Sequence, residues 1–427
     1  MNNKTGFTLV TTLLLLSIFI KNISILVPFH ILFSAFFLIS VALKPKQIKL
    51  KPVVTLLFFT LLMLIAFTAR NFGGIGDEIH ILIYFLLILP FFIFTTTCNL
   101  SRTKEFGKIA IIFFIAMNSL GILAFLFTVA TRDHAELVIL FNGEASESRK
   151  ILINSLDSFV FADTWGYRYS GFYLDPNRWS FCLIFMYMFT DTYRAESKKL
   201  QLICKSLILA SLLLTFSKGG YVGLLTYLTT RAILERKTAS IVYFAIIITA
   251  ITSFVFIFSD TDQILERAIY GFDSGNGKSR INTWPAYFYE ITKDPINLLF
   301  GVFTDADLTK TMPINPHNLP LFITYQFGSV FFLCFIAVLY GLYRKASRLK
   351  HRKRAFLISG FLSLILMSLT EDEVLLPIFW FAGAFIYATL KNAKTPYNKI
   401  TNPTKTSNDT SMISSYQNNK TPIIYHR

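Results

Sequence analysis

The chain has 427 residues, of which 53% are hydrophobic and only 15% charged, with 45 phenylalanines. Ordinary soluble domains carry nearer a quarter charged residues. At a mean hydropathy of +0.53, the apolar surplus exceeds what globular cores of this length bury. Soluble enzyme classes are therefore excluded, and lipid is expected as the solvent for much of the chain. The formal charge of +16 does not point to nucleic acid, because its basic segments lack the interleaved aromatics of a base-stacking platform.

In chain order, Lys4 precedes an apolar stretch from Phe7 to Ile20. No small-residue cleavage site follows, so this stretch is expected to stay as a first span rather than leave as a signal peptide. Runs long enough to cross a bilayer fall near 6–21, 24–43, 53–69, 79–97, 109–130, 176–191, 202–216, 220–234, 239–258, 319–343, 355–370 and 374–390. The expected fold is all-α and polytopic, with about twelve transmembrane helices. It divides into N-terminal spans over 1–130, a large outer loop over 131–175, spans over 176–258, a second large outer loop over 259–318, spans over 319–392, and a polar, disordered tail over 393–427.

Sidedness follows from charge. The connectors 44–52, 98–108, 191–201, 235–238 and 344–354 and the tail are basic, as in Lys44, Lys46, Lys49 and Lys51 or Arg344 through Arg354. The opposite connectors hold most acids, including Glu144, Glu147, Asp157, Asp260, Asp305, Glu371 and Asp372. The positive-inside rule places the first set and both termini in the cytoplasm. The four cysteines, Cys98, Cys182, Cys204 and Cys334, show no paired spacing, so neither a disulfide framework nor a zinc site is expected.

Three outward-facing segments concentrate polar chemistry. The first, Arg168-Tyr-Ser-Gly171-Phe-Tyr-Leu-Asp175-Pro176-Asn177-Arg178, leads into the span at 176–191. The second is the turn Ser217-Lys218-Gly219-Gly220, and the third runs from Ser279-Arg280 and Trp284 through Asp294-Pro295 and Gly301 to Pro316-His317-Asn318. Arg168, Arg178, Lys218 and Arg280 are cations that can converge on an anionic ligand, with Arg contributing bidentate contacts and Lys a point charge. His317 is the one residue of these segments suited to accept a proton near neutral pH. Each has a plainer role too. Asp175-Pro176 is a good helix start, Ser217-Lys218-Gly219-Gly220 a tight turn, His317 an interfacial side chain, and Arg168 or Arg280 a snorkelling cation.

The series carries more than its parts. Arg-x-x-Gly-x-x-x-Asp-Pro-Asn, then Ser-Lys-Gly, then Arg280 with Trp284, Asp-Pro, Gly301 and His317-Asn318 before Gly328 resembles the O-antigen ligase and polymerase family of polytopic bacterial glycosyltransferases, over roughly residues 165–345. The resemblance implies a GT-C-like membrane fold in the bacterial inner membrane. It also implies transfer of glycan from undecaprenyl diphosphate to an acceptor hydroxyl at the periplasmic face, with no metal or other cofactor. By the same resemblance His317 and Arg280 are the catalytic residues and Lys218, Arg168 and Arg178 bind diphosphate, with Asp175, Asn177, Trp284 and Asn318 supporting them. The family normally has Arg after the turn serine. Lys218 keeps the charge but loses the planar fork, which Arg168 or Arg178 can supply.

Two large outer loops favour a polymerase, acting on a growing acceptor glycan, over a ligase, whose acceptor is lipid A-core. A flippase is the further alternative, although the span interiors are nearly free of the ionisable groups that a transport path uses.

Overall fold

The computed structural model describes residues 103–133, 159–163, 166–173, 175–192, 198–236, 276–302, 318–349 and 351–369, with isolated positions 137, 246, 382 and 386. The elements are α1 (Thr103–Thr131), strands β1 (Val160–Asp163) and β2 (Gly166–Tyr169), α2 (Pro176–Thr192), α3 (Lys198–Thr215), α4 (Lys218–Glu235), α5 (Asn276–Thr292), α6 (Pro295–Phe300), α7 (Leu319–Ser347) and α8 (His351–Ser368).

Helix α2 is the centre. Every residue from Trp179 to Asp191 is buried, which explains why the segment is apolar all round rather than striped. It is covered by α3, α4 and α8, and α1 packs chiefly on α3. Small residues set the close approaches. A Cβ on Gly220 of α4 would lie 2.6 Å from Ser180 Cβ of α2, and one on Gly360 of α8 would lie 1.8 Å from Met188 Sδ. Gly223 of α4 faces Met367, and Ser363 Oγ donates to Gly223 O at 2.6 Å. This small-residue packing, with a hydroxyl bonded across two helices, is the pattern by which helices associate where lipid removes the hydrophobic drive.

These contacts also fix direction. Ser180 and Gly220 lie near the N-termini of α2 and α4, and Met367 lies near the C-terminus of α8. The N-termini of α2 and α4 therefore share one end of the bundle with the C-terminus of α8. The turn between α7 and α8 is at the opposite end, together with Lys198 and Arg236.

The expectation of about twelve spans is not supported. Among the described residues, α7 and the part of α1 over Gly107–Thr131 are long and apolar enough to cross a membrane. The runs at 176–191, 202–216, 220–234 and 355–370 form helices of 17 or 18 residues. Such helices reach about 26 Å, at the lower limit for crossing the ~30 Å hydrocarbon layer. Lys205 and Arg231 fall inside two of these runs, and the apolarity of α2 reflects cover by protein. The proposed runs near 6–21, 24–43, 53–69 and 79–97, and the tail 393–427, lie outside the described residues, as do all but isolated positions of 239–258 and 374–390.

The all-α expectation also needs correction. Within the first large loop, β1 and β2 pair antiparallel, Val160 opposite Tyr169 and Asp163 opposite Gly166. Val160, Phe161, Tyr167 and Tyr169 suit a half-buried ribbon, and Gly166 supplies a φ of 122° at its tip.

Helix α7 bends at Gly328, where φ is 81° and ψ 169°. Without the bend its 29 residues would extend about 44 Å, against about 27 Å for the 18 residues of α8. Yet Asn318, which caps α7, donates from Nδ2 to Leu369 O just beyond α8 at 3.2 Å. The bend reconciles the two lengths. A second, smaller cluster of Tyr287, Ile291, Val302, Leu321 and Tyr325 packs α5 and α6 against the first turns of α7.

Gly171 tests this packing. Its φ is +56° and an added Cβ would lie 2.1 Å from the buried Trp179 ring. Gly171→Ala is expected to destabilise the fold by about 1–3 kcal/mol, read as a lower melting temperature of the detergent-solubilised protein. Gly341→Ala is the control, since its Cβ would meet nothing within 4 Å, and should leave the melting temperature unchanged or raise it.

Candidate functional site

The end of the bundle that carries the N-termini of α2 and α4 gathers several of the expected residues. The pleat of the hairpin begins the arrangement, since successive side chains alternate faces. Tyr169 enters the core, fully buried, and donates to Asn118 Oδ1 on α1 at 3.2 Å. Asn118 Nδ2 in turn donates to Ser211 Oγ on α3 at 2.6 Å. An added Cβ on Gly121 would come within 2.3 Å of that tyrosine oxygen, so the absence of a side chain there makes room for it. Burial holds the Tyr169 hydroxyl far above the usual tyrosine range, leaving it a neutral donor at any physiological pH. Tyr167 pins the hairpin to the end of α1, donating to Arg132 O at 3.0 Å.

Arg168 leaves the other face, with its guanidinium 5.8 Å from the Phe161 ring centre. Its Nε donates to Thr215 O at 3.0 Å, closing the carbonyl end of α3, and Nη2 donates to Asn177 Oδ1 at 3.3 Å. A cation suits a helix C-terminus.

Asp175 starts α2. Its Oδ1 accepts from the backbone N–H groups of Asn177 at 2.7 Å and Arg178 at 3.3 Å, while Oδ2 stands 4.0 Å from Arg178 Nε. Ser217 starts α4, accepting from Gly220 N at 3.2 Å. Ser217 Oγ also donates to Asn177 Oδ1 at 2.9 Å. Ser180 Oγ donates to Asn177 O at 2.6 Å and stands 3.0 Å from Ser217 Oγ. Each hydroxyl has one proton, so the serines bond to each other only if one turns from Asn177. Phe216, at φ 47°, makes the tight reversal that brings Ser217 there.

Asn177 is thus the junction of hairpin, α2 and α4. Two helix N-termini, with Arg168, Arg178 and the exposed Lys218 around them, present a positive field offset by one carboxylate, Asp175. Helix N-termini and cations at one mouth suit an anion.

The structure thereby brings together Arg168, Asp175, Asn177, Arg178 and Lys218, and gives Asp175 and Arg168 capping roles beside their charge. It does not bring Trp284 to them, since that ring packs against the cluster of Tyr287 and Tyr325. Asn318 lies at the same end but joins α7 to α8, accepting from Leu321 N at 3.0 Å. Arg280 falls on the backbone of α5. His317 lies outside the described residues. Among the described residues no group of three or more His, Cys, Asp and Glu is placed to hold a metal.

One cluster escaped the sequence reading. Asp191, 4% exposed near the far end of α2, accepts from Lys205 of α3, from Arg231 of α4 and from Tyr227 OH at 3.0 Å. Arg231 also bonds Glu235 at 3.2 Å and lies 4.4 Å from the Phe356 ring centre of α8. A lone acid in the apolar run 179–191, with Lys205 and Arg231 inside runs assigned to lipid, was the available signal. No known protein family, curated protein or solved structure matches the chain.

Because Asn177 Oδ1 accepts from both Arg168 and Ser217, Asn177→Ala should cost about 1–3 kcal/mol of stability. Asn177→Asp, which keeps the acceptor and adds charge beside Arg168, should recover most of that in thermal unfolding of the purified protein. Equal loss in both variants would show that the junction is not held by this oxygen.

Proposed function

We propose that this chain is a membrane glycosyltransferase of the O-antigen polymerase type, moving glycan from undecaprenyl diphosphate to a hydroxyl of an acceptor glycan at the periplasmic face of the bacterial inner membrane. The observation that carries the proposal is the junction at Asn177. It draws Arg168, Arg178 and Lys218 to the N-termini of two helices, from segments that are 40 or more residues apart in part. Such a group is suited to a diphosphate, whose charge grows as its bond to the sugar breaks. In this reading Lys218 and Arg178 meet the phosphates, while Arg168 is anchored by Thr215 and Asn177 as a fixed positive wall. Arg280 adds a further cation from the second large loop, and His317 takes the acceptor proton during in-line displacement. The donor's polyprenyl tail stays in lipid.

Helix direction supports the sidedness. Lys198, Arg236, Arg344, Lys345 and Arg348 stand at the end opposite the junction, and basic residues are retained in the cytoplasm. The protein is accordingly read as a multi-pass inner-membrane protein with both termini inside.

A strain deleted for this gene tests the activity on a lipopolysaccharide gel. Wild-type complementation should restore a ladder that the deletion reduces to a single repeat on core; complete loss of capped core would indicate the ligase instead. His317→Ala should fail to restore the ladder at matched protein level. Lys218→Arg should restore it, whereas Lys218→Ala should lose about 2–4 kcal/mol of transition-state stabilisation, roughly 30- to 1,000-fold in rate. A ladder of normal intensity from the Ala variants would refute these roles.

Sidedness is tested separately. In a background without the native cysteines, Ser274→Cys should react with a membrane-impermeant maleimide in intact spheroplasts and Ser347→Cys only after lysis. The reverse pattern would place the junction in the cytoplasm, away from flipped lipid-linked glycan.

A further inference from the structure

Helix α5 buries Tyr287 and Ile291, together with Val302 just after α6, against the first turns of α7. Among the described residues nothing covers the other side of α5 and α6, which carries apolar side chains. Phe288 and Tyr289 are 55% and 64% exposed, and Ile296, Leu298 and Leu299 are 47%, 41% and 44% exposed. A short segment with five such side chains open to solvent is costly in water.

The position of this face is set by α7. At the bend, an added Cβ on Gly328 would lie 2.2 Å from Leu299 O, and one on Gly301 would lie 2.4 Å from Gln326 O. The backbone of α6 is therefore in direct contact with the bend. From that level the straight part of α7, residues 329–347, measures about 28 Å, of which about 24 Å precedes Arg344, so it covers most of the ~30 Å hydrocarbon layer with the Arg and Lys stems reaching to the surface. It carries Leu333, Ile336, Val338 and Tyr340 exposed and ends at Arg344 and Lys345, whose charges belong at a membrane surface. If the basic end lies at one surface, the bend, and α6 with it, lies at the other. The uncovered face of α5 and α6 then continues the lipid-facing side of α7. Aromatic side chains on α5, with the exposed Lys293 after it, suit the headgroup boundary.

We propose that α5 and α6 form an interfacial shelf, with Phe288, Tyr289, Ile296, Leu298 and Leu299 seated in the phospholipid headgroup and upper acyl region beside α7. The shelf lies at the end of the bundle where Asn318 joins α7 to α8, which is also the end that carries the Asn177 junction. The inference is independent of the reaction proposed above, and its test reads no activity.

The full chain, without its native cysteines, is placed in nanodiscs of phosphatidylethanolamine and phosphatidylglycerol and labelled with bimane at a single Leu298→Cys, Phe288→Cys or Lys293→Cys. Leu298 and Phe288 are exposed, so neither substitution disturbs packing, and each checks the other. Their labels should be quenched several times more strongly by phospholipid bearing a nitroxide near the glycerol backbone than by iodide, with the order reversed at Lys293. Iodide quenching at 288 and 298 equal to that at 293 would overturn the proposal. Shielding of both labels from both quenchers would also overturn it, by showing that protein covers the face.

Discussion

Complete burial of α2 between Trp179 and Asp191 is the constraint on which the described bundle depends. A helix without an outward face must be enclosed, and α3, α4 and α8 can enclose it only where Gly220, Gly223, Gly360 and Ser363 let backbones approach. Larger residues at these positions would push the helices apart and open voids along α2, with the loss of contact that dense packing otherwise supplies.

Both ends of that buried helix are polar, and they are held differently. At the N-terminal end, neutral and charged donors meet at Asn177, where the amide, two hydroxyls and the Arg168 guanidinium satisfy one another and leave Arg178 and Lys218 near the surface. At the far end a carboxylate, Asp191, is taken out of solvent among Lys205, Arg231 and Tyr227. Burial of a charge costs several kcal/mol, and loss of one partner of such a pair typically costs about 3–5 kcal/mol. Asp191 therefore keys α2, α3 and α4 in register from below, so that the N-termini of α2 and α4 meet at a fixed spacing above. The Asn177 junction leaves the exposed Lys218 beside it; the Asp191 cluster, closed by its own countercharges, is a fastening.

The bend at Gly328 has a comparable role for the second large loop. It permits a long apolar helix to end near α8 while its first turns fold aside to receive α5 and α6. The helix that carries Arg280 is thereby attached to the same end as the Asn177 junction through Asn318 and Leu369. On the function and the interfacial shelf proposed above, this places a lipid-facing element and a cationic mouth at one end.

Much of the local chemistry was legible in the sequence, because it depends on neighbours along the chain. Asp175-Pro176 and Ser217 announce helix starts by the hydrogen bonds their side chains can make to the next backbone N–H groups, and the helices begin there. The grouping of the Arg168 segment with the Ser217 turn was also legible from cations gathered in connectors of one side. The span count was not. Hydropathy along a sequence cannot tell a helix covered by protein from one covered by lipid, so α2, enclosed by its neighbours, reads like the partly exposed α7. The hairpin was missed because two strands of four residues leave little periodicity. The Asp191 cluster was missed because its members stand 14 and 40 residues apart, a separation that only the antiparallel run of α3 and the parallel run of α4 beside α2 convert into contact. Sequence determined where helices start and where charge accumulates, since these are local energies. Which apolar faces meet each other, and which polar side chains are brought into one network, was decided by tertiary packing, because close approach depends on the shapes of both partners at once.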